Sequence, residues 1–287
     1  MKQIVVISGK GGTGKTILTA SFAALAKNKV MVDCDVDAAD LYLLLHPDIK
    51  QRNEFKSGKT AYIDQKVCIN CGKCISACRF EAIKKDFQVD PISCEGCGLC
   101  NHICPVKAIK MEDNIAGEWF ISETKYGPFV HAKLGIAEEN SGKLVAKVRQ
   151  VAKEIAEEKK LNYVIIDGPP GIGCPVIASL SGIDLAVIVT EPTISGLHDL
   201  LRIIEVTEHF QIATKVIINK YDLNLENTNT IKLSCTKKHL EILGCIPFSS
   251  SVSKAIVSGN SPVEFCGDEV ANEIISIWAK IEKEKII

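Results

Sequence analysis

The chain has 287 residues, enough for one large α/β domain and a small additional module, because a chain of this length buries about three quarters of its unfolded surface. Its formal net charge of -1 excludes a general electrostatic attraction to nucleic acid or anionic lipid. The sequence contains no apolar run long enough to span a membrane and no cleavable signal, which predicts a cytoplasmic protein with no membrane and no nucleic-acid partner.

The first recognisable element is a glycine-rich stretch between a predicted strand at residues 4–7 and a predicted helix at residues 17–25. Glycines let successive backbone N–H groups surround a phosphate, and the start of the helix adds a partial positive charge. We therefore predict a phosphate-binding loop, with Lys15 on the terminal phosphates and the Thr16 hydroxyl on Mg²⁺. The residues predicted to make up this loop are Gly9, Lys10, Gly11, Gly12, Thr13, Gly14, Lys15 and Thr16.

A second short apolar strand, residues 30–32, is followed by the acids Asp33, Asp35 and Asp37. Ligands of open α/β sheets bind at the carboxyl ends of the strands, so we expect these acids near the phosphate loop. Asp37 has an alternative role as the cap of a helix over residues 38–45. The polar residues 46–60 lack periodicity and are predicted to form a linker.

Eight of the thirteen cysteines lie between residues 68 and 104, in two runs of four. In a chain without an export signal, this clustering favours metal over disulfides. The spacing is that of bacterial two-cluster ferredoxins, in which the fourth cysteine of each run ligates the other cluster. Zinc is the weaker alternative, because zinc sites group cysteines in pairs. One [4Fe-4S] cluster is thus predicted at Cys68, Cys71, Cys74 and Cys104, and a second at Cys94, Cys97, Cys100 and Cys78.

The two cysteine runs repeat at a spacing of 26 residues, but they differ after their fourth cysteine. Pro105 follows the second run, whereas Arg79 stands at the matching position of the first. A cation beside Cys78 would raise the reduction potential of that cluster, since nearby charge tunes such potentials. Under this hypothesis, Arg79→Pro lowers one of two potentials in a redox titration.

After the cysteine runs, a strand is predicted at residues 119–121, an ordered loop at 126–131 and a helix at 141–159. A buried strand then ends in Asp167, which is the Walker B pattern and predicts a contribution to the Mg²⁺ shell. It is followed by a glycine- and proline-rich loop over residues 168–171.

The final third of the chain contains predicted strands at residues 185–192 and 216–220, separated by a helix at 195–210. The amphipathic residues 272–287 are predicted to close the core, with a membrane-surface helix as the alternative. The cysteines outside the two runs are predicted to behave as small hydrophobic or loop residues. They are Cys34, Cys174, Cys235, Cys245 and Cys266.

The form of the phosphate loop with a second lysine, Lys10, resembles the signature of the MinD/ParA group of P-loop ATPases, which includes the nitrogenase iron protein and Mrp-type iron–sulfur carriers. The resemblance implies a face-to-face dimer, either a homodimer or a heterodimer with a similar ATPase, in which Lys10 reaches the nucleotide of the partner. It also implies that Asp35 orients the attacking water and that Asp33 supports the Mg²⁺ region. Lys10, Lys15 and Asp35 are the implied catalytic residues.

Further roles are implied by the same resemblance. A glycine N–H of the second switch loop, assigned to Gly171, contacts the γ-phosphate, because this loop senses hydrolysis. Asn219, at a strand end, holds adenine, although asparagine there is otherwise a turn former. Pro247 lies in the last loop on the nucleotide side.

The predicted fold is therefore α/β, with a mostly parallel P-loop NTPase sheet, helices on both faces, and an inserted α+β bacterial-type ferredoxin module. The resemblance is to MinD-superfamily ATPases that carry such an insert. The predicted boundaries are 1–58 for the first ATPase segment, 59–113 for the insert and 114–287 for the second ATPase segment.

The resemblance implies an enzyme that binds ATP or ADP with Mg²⁺ and hydrolyses ATP. In the main functional hypothesis, the nucleotide state of a dimer controls electron transfer or metallocluster delivery from the two [4Fe-4S] clusters to a redox partner or an apo-metalloprotein client. The alternative is a spatial or regulatory switch of the MinD/ParA type, in which the clusters are structural or redox-sensing. Amide ligation, as in cobyrinic acid diamide synthases, is a third and weaker hypothesis, because it needs a glutaminase domain.

Overall fold

The computed structural model describes residues 1–136, 138, 140–265 and 267–284. They divide into two compact units. The first contains Met1–Arg52, Trp119–Lys133 and the described residues from Ser141 onward, and the second contains Asn53–Glu118 and Leu134–Asn140. The predicted insert, 59–113, lies within the second unit, and its exact boundaries stay a prediction.

Strands alternate with helices along most of the first unit. The elements of both units are numbered together in chain order, and α3 and α4 lie in the second unit. The strands are β1 (Lys2–Ser8), β2 (Lys29–Asp33), β3 (Asp48–Ile63), β4 (Ile109–Thr124), β5 (Gly127–Leu134), β6 (Tyr163–Pro170), β7 (Leu185–Thr190), β8 (Ala213–Asn219) and β9 (Glu241–Ile246). The helices are α1 (Lys15–Leu25), α2 (Tyr42–Leu45), α3 (Lys73–Ala77), α4 (Leu99–Ile103), α5 (Ser141–Glu158), α6 (Cys174–Leu180), α7 (Ile194–His209), α8 (Leu225–Lys237), α9 (Ser250–Val257), α10 (Pro262–Phe265) and α11 (Glu269–Lys283).

The strands form one sheet in the described residues, in the order β3-β4-β5-β2-β6-β1-β7-β8-β9. From β5 to β9 the neighbours are parallel, which confirms the mostly parallel α/β sheet. Parallel strands end at a common edge, and the pairing of β2 with β6 sets Asp33 opposite Asp167. The acids predicted from two distant segments therefore meet at the carboxyl edge of the sheet.

The core of the first unit is built from the apolar central strands and the helices that cover them. The side chains of β1 from Ile4 to Ile7 are fully buried, as expected for a parallel strand covered on both faces. Helix α11 places Ile277, Trp278 and Ile281 in the same core, and the Trp278 ring lies 5.3 Å from that of Phe22. The described part of the C-terminal segment is thus a core helix, as predicted, while residues 285–287 lie outside the described residues.

The backbone of the second unit repeats at the 26-residue spacing of its cysteine runs. The Asp64 N–H donates to the Ala108 carbonyl at 2.8 Å, and the Asp90 N–H donates to the Ala82 carbonyl at 2.7 Å. Each half of the unit therefore donates a backbone hydrogen bond from one position and accepts one at another, and these positions are equivalent in the two halves. Matching positions also share a positive φ, namely Asn70 and Gly96, Gly72 and Gly98, and Glu81 and Lys107.

Three local predictions are wrong. Residues 48–60 of the predicted linker belong to strand β3, whose side chains are mostly exposed and therefore carry no apolar pattern. The predicted loop at 126–131 is largely strand β5, which is buried at successive positions because it pairs in parallel with β2. The helix predicted over 38–45 is reduced to α2, so Asp37 does not cap it.

No helix among the described residues is both long enough and apolar enough to cross a membrane.

Candidate functional site

The phosphate loop lies between the end of β1 and the first residue of α1, as the sequence predicts. Gly14 has a φ of +92°, in the left-handed region that favours glycine, and a Cβ there would lie 2.4 Å from Asn219 Nδ2. Gly9 is equally constrained, because its Cβ would lie 2.3 Å from Asp199 Cβ. Glycine at these two positions thus allows the loop to pack closely against helix α7 and the end of strand β8.

Lys15 is the centre of a buried charge cluster. Its Nζ lies 3.3 Å from Asp35 Oδ2 and 3.3 Å from Asp167 Oδ1. Burial acts to lower the pKa of Lys15, but the carboxylates of Asp167 and Asp35 outweigh it and raise that pKa. The ammonium group therefore stays charged, as a residue that binds phosphate must.

The acids around Lys15 are held on the ends of two adjacent strands. Asp33 is fully buried and accepts hydrogen bonds from the Asp35 N–H at 3.0 Å and the Leu41 N–H at 3.2 Å. Burial, with the nearby Asp167, raises the pKa of Asp33 well above its usual range. Burial also raises the pKa of Asp35, against the effect of Lys15. A bound cation would reduce the electrostatic repulsion between these carboxylates.

Two buried oxygens in the site lack a partner among the described residues. They are Asp167 Oδ2 and Thr13 Oγ1. Buried polar atoms are nearly always hydrogen-bonded, so unpaired ones at a strand end and in a phosphate loop fit a site that takes Mg²⁺ and phosphate. Asp167 Oδ1 is already positioned by the Thr19 hydroxyl, which donates to it at 3.1 Å.

Lys10 turns toward its own chain. Its Nζ lies 2.7 Å from Glu191 Oε1 and donates to Thr193 Oγ1 at 3.0 Å and to Ser195 Oγ at 2.9 Å. Glu191 also accepts from Lys220 Nζ at 3.2 Å. Burial acts to raise the pKa of Glu191, but its bonds to Lys10 and Lys220 lower that pKa.

Glu191 is a site residue that was not predicted from the sequence. The available signal was its position at the carboxyl end of a predicted buried strand, the same rule that identified Asp35 and Asp167. Its partner Lys10 lies far away in the chain, and only the β1–β7 pairing brings the two together.

The cavity beside the phosphate loop has a volume of about 1040 Å³ and includes Asp35, Asn219 and Pro247 in its lining. The Asn219 amide donates to the Thr13 carbonyl at 2.8 Å, and its oxygen accepts from the Lys220 N–H at 3.0 Å. Asn219 therefore shapes this end of the cavity, and its predicted contact with adenine stays a prediction.

The loop over residues 168–171, which is the predicted second switch loop, lies beside strand β1. The Gly171 N–H, predicted to contact the γ-phosphate, donates instead to the Ser8 carbonyl at 2.9 Å. A phosphate contact at Gly171 therefore requires this hydrogen bond to open. Thr16 lines the same cavity, and its hydroxyl accepts from Lys15 Nζ at 3.5 Å.

The two cysteine sets line two separate spaces within the second unit. A cavity of about 260 Å³ is lined by Cys78, Cys94, Cys97 and Cys100, together with Arg79. A narrow cleft of about 20 Å³ is lined by Cys68, Cys71, Cys74 and Cys104. Each space thus contains one of the two crossed sets of four. Burial raises the pKa of the Cys74 and Cys100 thiols.

Within the described part of the chain, no three or more His, Cys, Asp or Glu side chains are arranged around one ion. This is the arrangement that a single zinc ion needs. A cubane cluster distributes its four thiolates over four iron atoms, so its ligands need not converge on one point. The two [4Fe-4S] clusters therefore stay a prediction.

The remaining cysteines differ in their surroundings. Cys34 and Cys235 are buried, which agrees with a small apolar role. Burial raises the pKa of Cys235 to about 11, so this thiol stays protonated. Cys174 is exposed at the first residue of α6. Cys266 lies outside the described residues.

Similarity to a known protein family identifies the kind of protein that carries this site. Residues 4–263 match the model of the CobQ/CobB/MinD/ParA nucleotide binding domain. The chain belongs to this family. It is therefore a nucleotide-binding protein and a P-loop ATPase, which confirms the MinD/ParA resemblance of the phosphate loop.

Individual relatives agree with this assignment. The chain is 36% identical to an uncharacterised protein of Methanocaldococcus jannaschii, over 98% of this chain and 96% of that protein. It is 26% identical to the septum site-determining protein MinD of Bacillus subtilis, over 88% of this chain and 79% of that protein.

Solved structures with the same fold include MinD proteins. MinD of Pyrococcus horikoshii, described as complexed with Mg-ADP, matches with a TM-score of 0.62 and 18% identity, over 98% of this chain and 96% of that one. MinD of Aquifex aeolicus, in a complex with MinC, matches with a TM-score of 0.57 and 21% identity, over 100% of this chain and 98% of that one.

Proposed function

We propose that this chain is an ATP-driven regulatory switch of the MinD/ParA type, in which Mg-ATP promotes a dimer, formed with itself or with a similar ATPase, and hydrolysis releases it. The observation that carries this proposal is the state of Lys10. A lysine that the family signature assigns to a partner's nucleotide is held by Glu191, Thr193 and Ser195 of its own chain. Lys10 is therefore bound to its own chain in this structure. It must break these contacts before it can reach the nucleotide of a partner in a dimer.

The residues around the phosphate loop supply what phosphoryl transfer needs, which is mainly positioning and charge. Lys15 neutralises the terminal phosphates, and Thr16 and Asp167 hold Mg²⁺, which supplies positive charge to the phosphates when bound. Asp35 orients the attacking water. Asn219 and Pro247 border the base, and the Gly171 N–H exchanges the Ser8 carbonyl for the γ-phosphate. This last exchange makes the loop responsive to hydrolysis.

The second unit, in this proposal, carries two [4Fe-4S] clusters and adds a structural or redox-sensing input to the switch. Support comes from the two spaces described above, each lined by one complete crossed set of cysteines. Backbone hydrogen bonds and positive φ angles also recur at the 26-residue spacing in the two halves of this unit. The insert predicted at 59–113 between two ATPase segments is retained as part of this proposal.

A second candidate function is ATP-coupled electron transfer or metallocluster delivery to a redox partner or an apo-metalloprotein. The presence of two four-cysteine sets in one unit favours it, because paired [4Fe-4S] clusters suit low-potential one-electron chemistry. The MinD relatives favour the switch instead, and the switch is therefore the main proposal.

The decisive experiment measures the oligomeric state of anaerobically purified protein with ADP, ATP or no nucleotide, with the clusters oxidised or reduced. We expect Mg-ATP to produce a dimer, and Lys10→Ala to bind ATP but to lose both dimerisation and hydrolysis. A protein that stays monomeric with ATP, or a Lys10→Ala variant that dimerises normally, would refute the switch.

Iron and sulfide analysis of the same preparation tests the second unit. Two clusters correspond to about eight iron atoms and eight sulfides per chain. Stoichiometric zinc, or a colourless protein after anaerobic reconstitution, would reject the clusters and leave the ATPase proposal standing.

A further inference from the structure

Asp222, an acid to which no role has been assigned, lies beside the loop that borders one end of the nucleotide cavity. Strand β8 ends at Asn219, and the chain continues through Lys220 and Tyr221 to Asp222. The side chains of Asn219 and Lys220 both hydrogen-bond to the phosphate loop. Asn219 donates to the Thr13 carbonyl at 2.8 Å, and Lys220 Nζ donates to the Gly12 carbonyl at 3.0 Å.

The backbone beyond β8 turns sharply and carries Asp222 to the last loop of the nucleotide side. Lys220 has a φ of +55°, and a short 3₁₀ turn over Tyr221–Leu223 follows it. Asp222 Oδ1 accepts a hydrogen bond from the Phe248 N–H at 2.7 Å. Phe248 itself lines the cavity, so the carboxylate of Asp222 lies one hydrogen bond away from the cavity wall.

The side chain of Asp222 keeps hydrogen-bonding capacity. It is exposed, and the Phe248 N–H is its one hydrogen-bond donor among the described residues. An ionised carboxylate has two oxygens with about four acceptor sites and no donor. The second oxygen is thus available to a ligand that presents N–H groups.

Purine bases differ in what they present to such an acceptor. The Watson–Crick edge of guanine carries two adjacent donors, the N1–H and the 2-amino group. Adenine presents a bare N1 acceptor and a C2–H at the same positions. A carboxylate therefore attracts guanine there and gains nothing from adenine.

We propose that this site accepts guanine nucleotides in addition to adenine nucleotides, and that Asp222 is the residue that reads the guanine edge. The inference rests on nucleotide binding at the phosphate loop, and it widens the substrate class from ATP to GTP. It assigns Asp222 as a specificity-determining residue, with Asn219 and Lys220 as the positioning residues that fix the turn before it.

Asp222→Asn is the informative substitution. The Asn oxygen still accepts from the Phe248 N–H, so the contact between the turn and the cavity wall is kept. The amide replaces one acceptor by a donor, which no longer matches guanine. It matches xanthine instead, because xanthine offers an N1–H donor beside a C2 carbonyl.

The experiment is equilibrium binding of Mg-ATP, Mg-GTP and Mg-XTP to the full-length wild type and variants. We expect the wild type to bind GTP in competition with ATP. Asp222→Asn should weaken GTP by about 10- to 100-fold and strengthen XTP by a similar factor, since a site built for a donor rejects a base that lacks it. Affinity for ATP should change by less than about threefold.

Two further variants keep the test decisive. Asp222→Ala should lose GTP without gaining XTP, which separates recognition of the base from general damage to the loop. Asp113→Asn makes the same chemical change at an exposed acid of the second unit and should leave all three affinities unchanged.

The possible failures are distinct. GTP binding more than about 100-fold weaker than ATP, or a GTP-to-XTP ratio unchanged in Asp222→Asn, overturns this inference and leaves the ATP switch intact. Failure of the wild type to bind any of the three nucleotides overturns both.

Discussion

The contact between Lys10 and Glu191 gives the sharpest prediction for the switch. If the lysine must leave this contact to reach a partner's nucleotide, weakening the contact should favour the dimer. Glu191→Gln removes the charge but keeps a side chain of the same size that can accept a hydrogen bond. Thr193 and Ser195 still accept from Lys10, so only the ionic part of the restraint is lost.

The size of the effect follows from the geometry. The Lys10 and Glu191 side chains are 27% and 17% exposed and lie 2.7 Å apart, so the pair is partly screened by solvent. Such a pair contributes about 1 kcal/mol. A symmetric dimer releases two copies, one from each protomer, which amounts to about 2 kcal/mol and about a 30-fold tighter ATP-dependent dimer.

Sedimentation velocity with Mg-ATP across a protein concentration series measures this constant. Glu208→Gln is the matched control, because Glu208 pairs with Lys238 at 3.2 Å at the surface near the end of α7. It should dimerise as the wild type does. A Glu191→Gln variant that binds ATP normally but dimerises no more tightly than the wild type would show that Glu191 does not restrain the lysine.

Lys15→Ala should abolish Mg-ATP binding in calorimetry, because it removes the buried cation of the site; retained binding would contradict the assigned role. Gly96→Ala should reduce the iron content of the second unit, because its Cβ would lie 2.1 Å from the Lys59 carbonyl, whereas Gly58→Ala, also at positive φ but in open space, should not. His131 has a pKa lowered to about 4 by burial, so acid favours the unfolded state, which binds the proton first. Urea unfolding should lose up to about 3 kcal/mol from pH 6.5 to 4, and His131→Phe should flatten that dependence.

Much of the site could be predicted because its residues lie at strand ends or in a local motif. Asp35 and Asp167 follow buried apolar strands, and the parallel sheet brings such ends together whatever the loops between them do. The division of the eight cysteines into two sets, each lining its own space, was likewise predictable from the repeat in their spacing, while the clusters themselves stay a prediction.

The features that the sequence did not reveal depend on tertiary context. Strand β3 has no apolar alternation because most of its side chains are exposed, so its residues resemble a linker. The role of Glu191 depends on β7 lying beside β1, which no local pattern states. The turn that carries Asp222 to Phe248 depends on a left-handed conformation at Lys220, a residue type that does not predict one.

Glu191 also links the two ends of the nucleotide site. Its carboxylate is shared by Lys10, the residue assigned to the dimer, and by Lys220, which bonds to the Gly12 carbonyl of the phosphate loop. Two cations that share one carboxylate are coupled, because a shift of either one changes how strongly the other is held. A base that moves the turn at Lys220 therefore changes the restraint on Lys10. If both proposals hold, this one side chain would couple recognition of the nucleotide at one end of the cavity to dimerisation at the other.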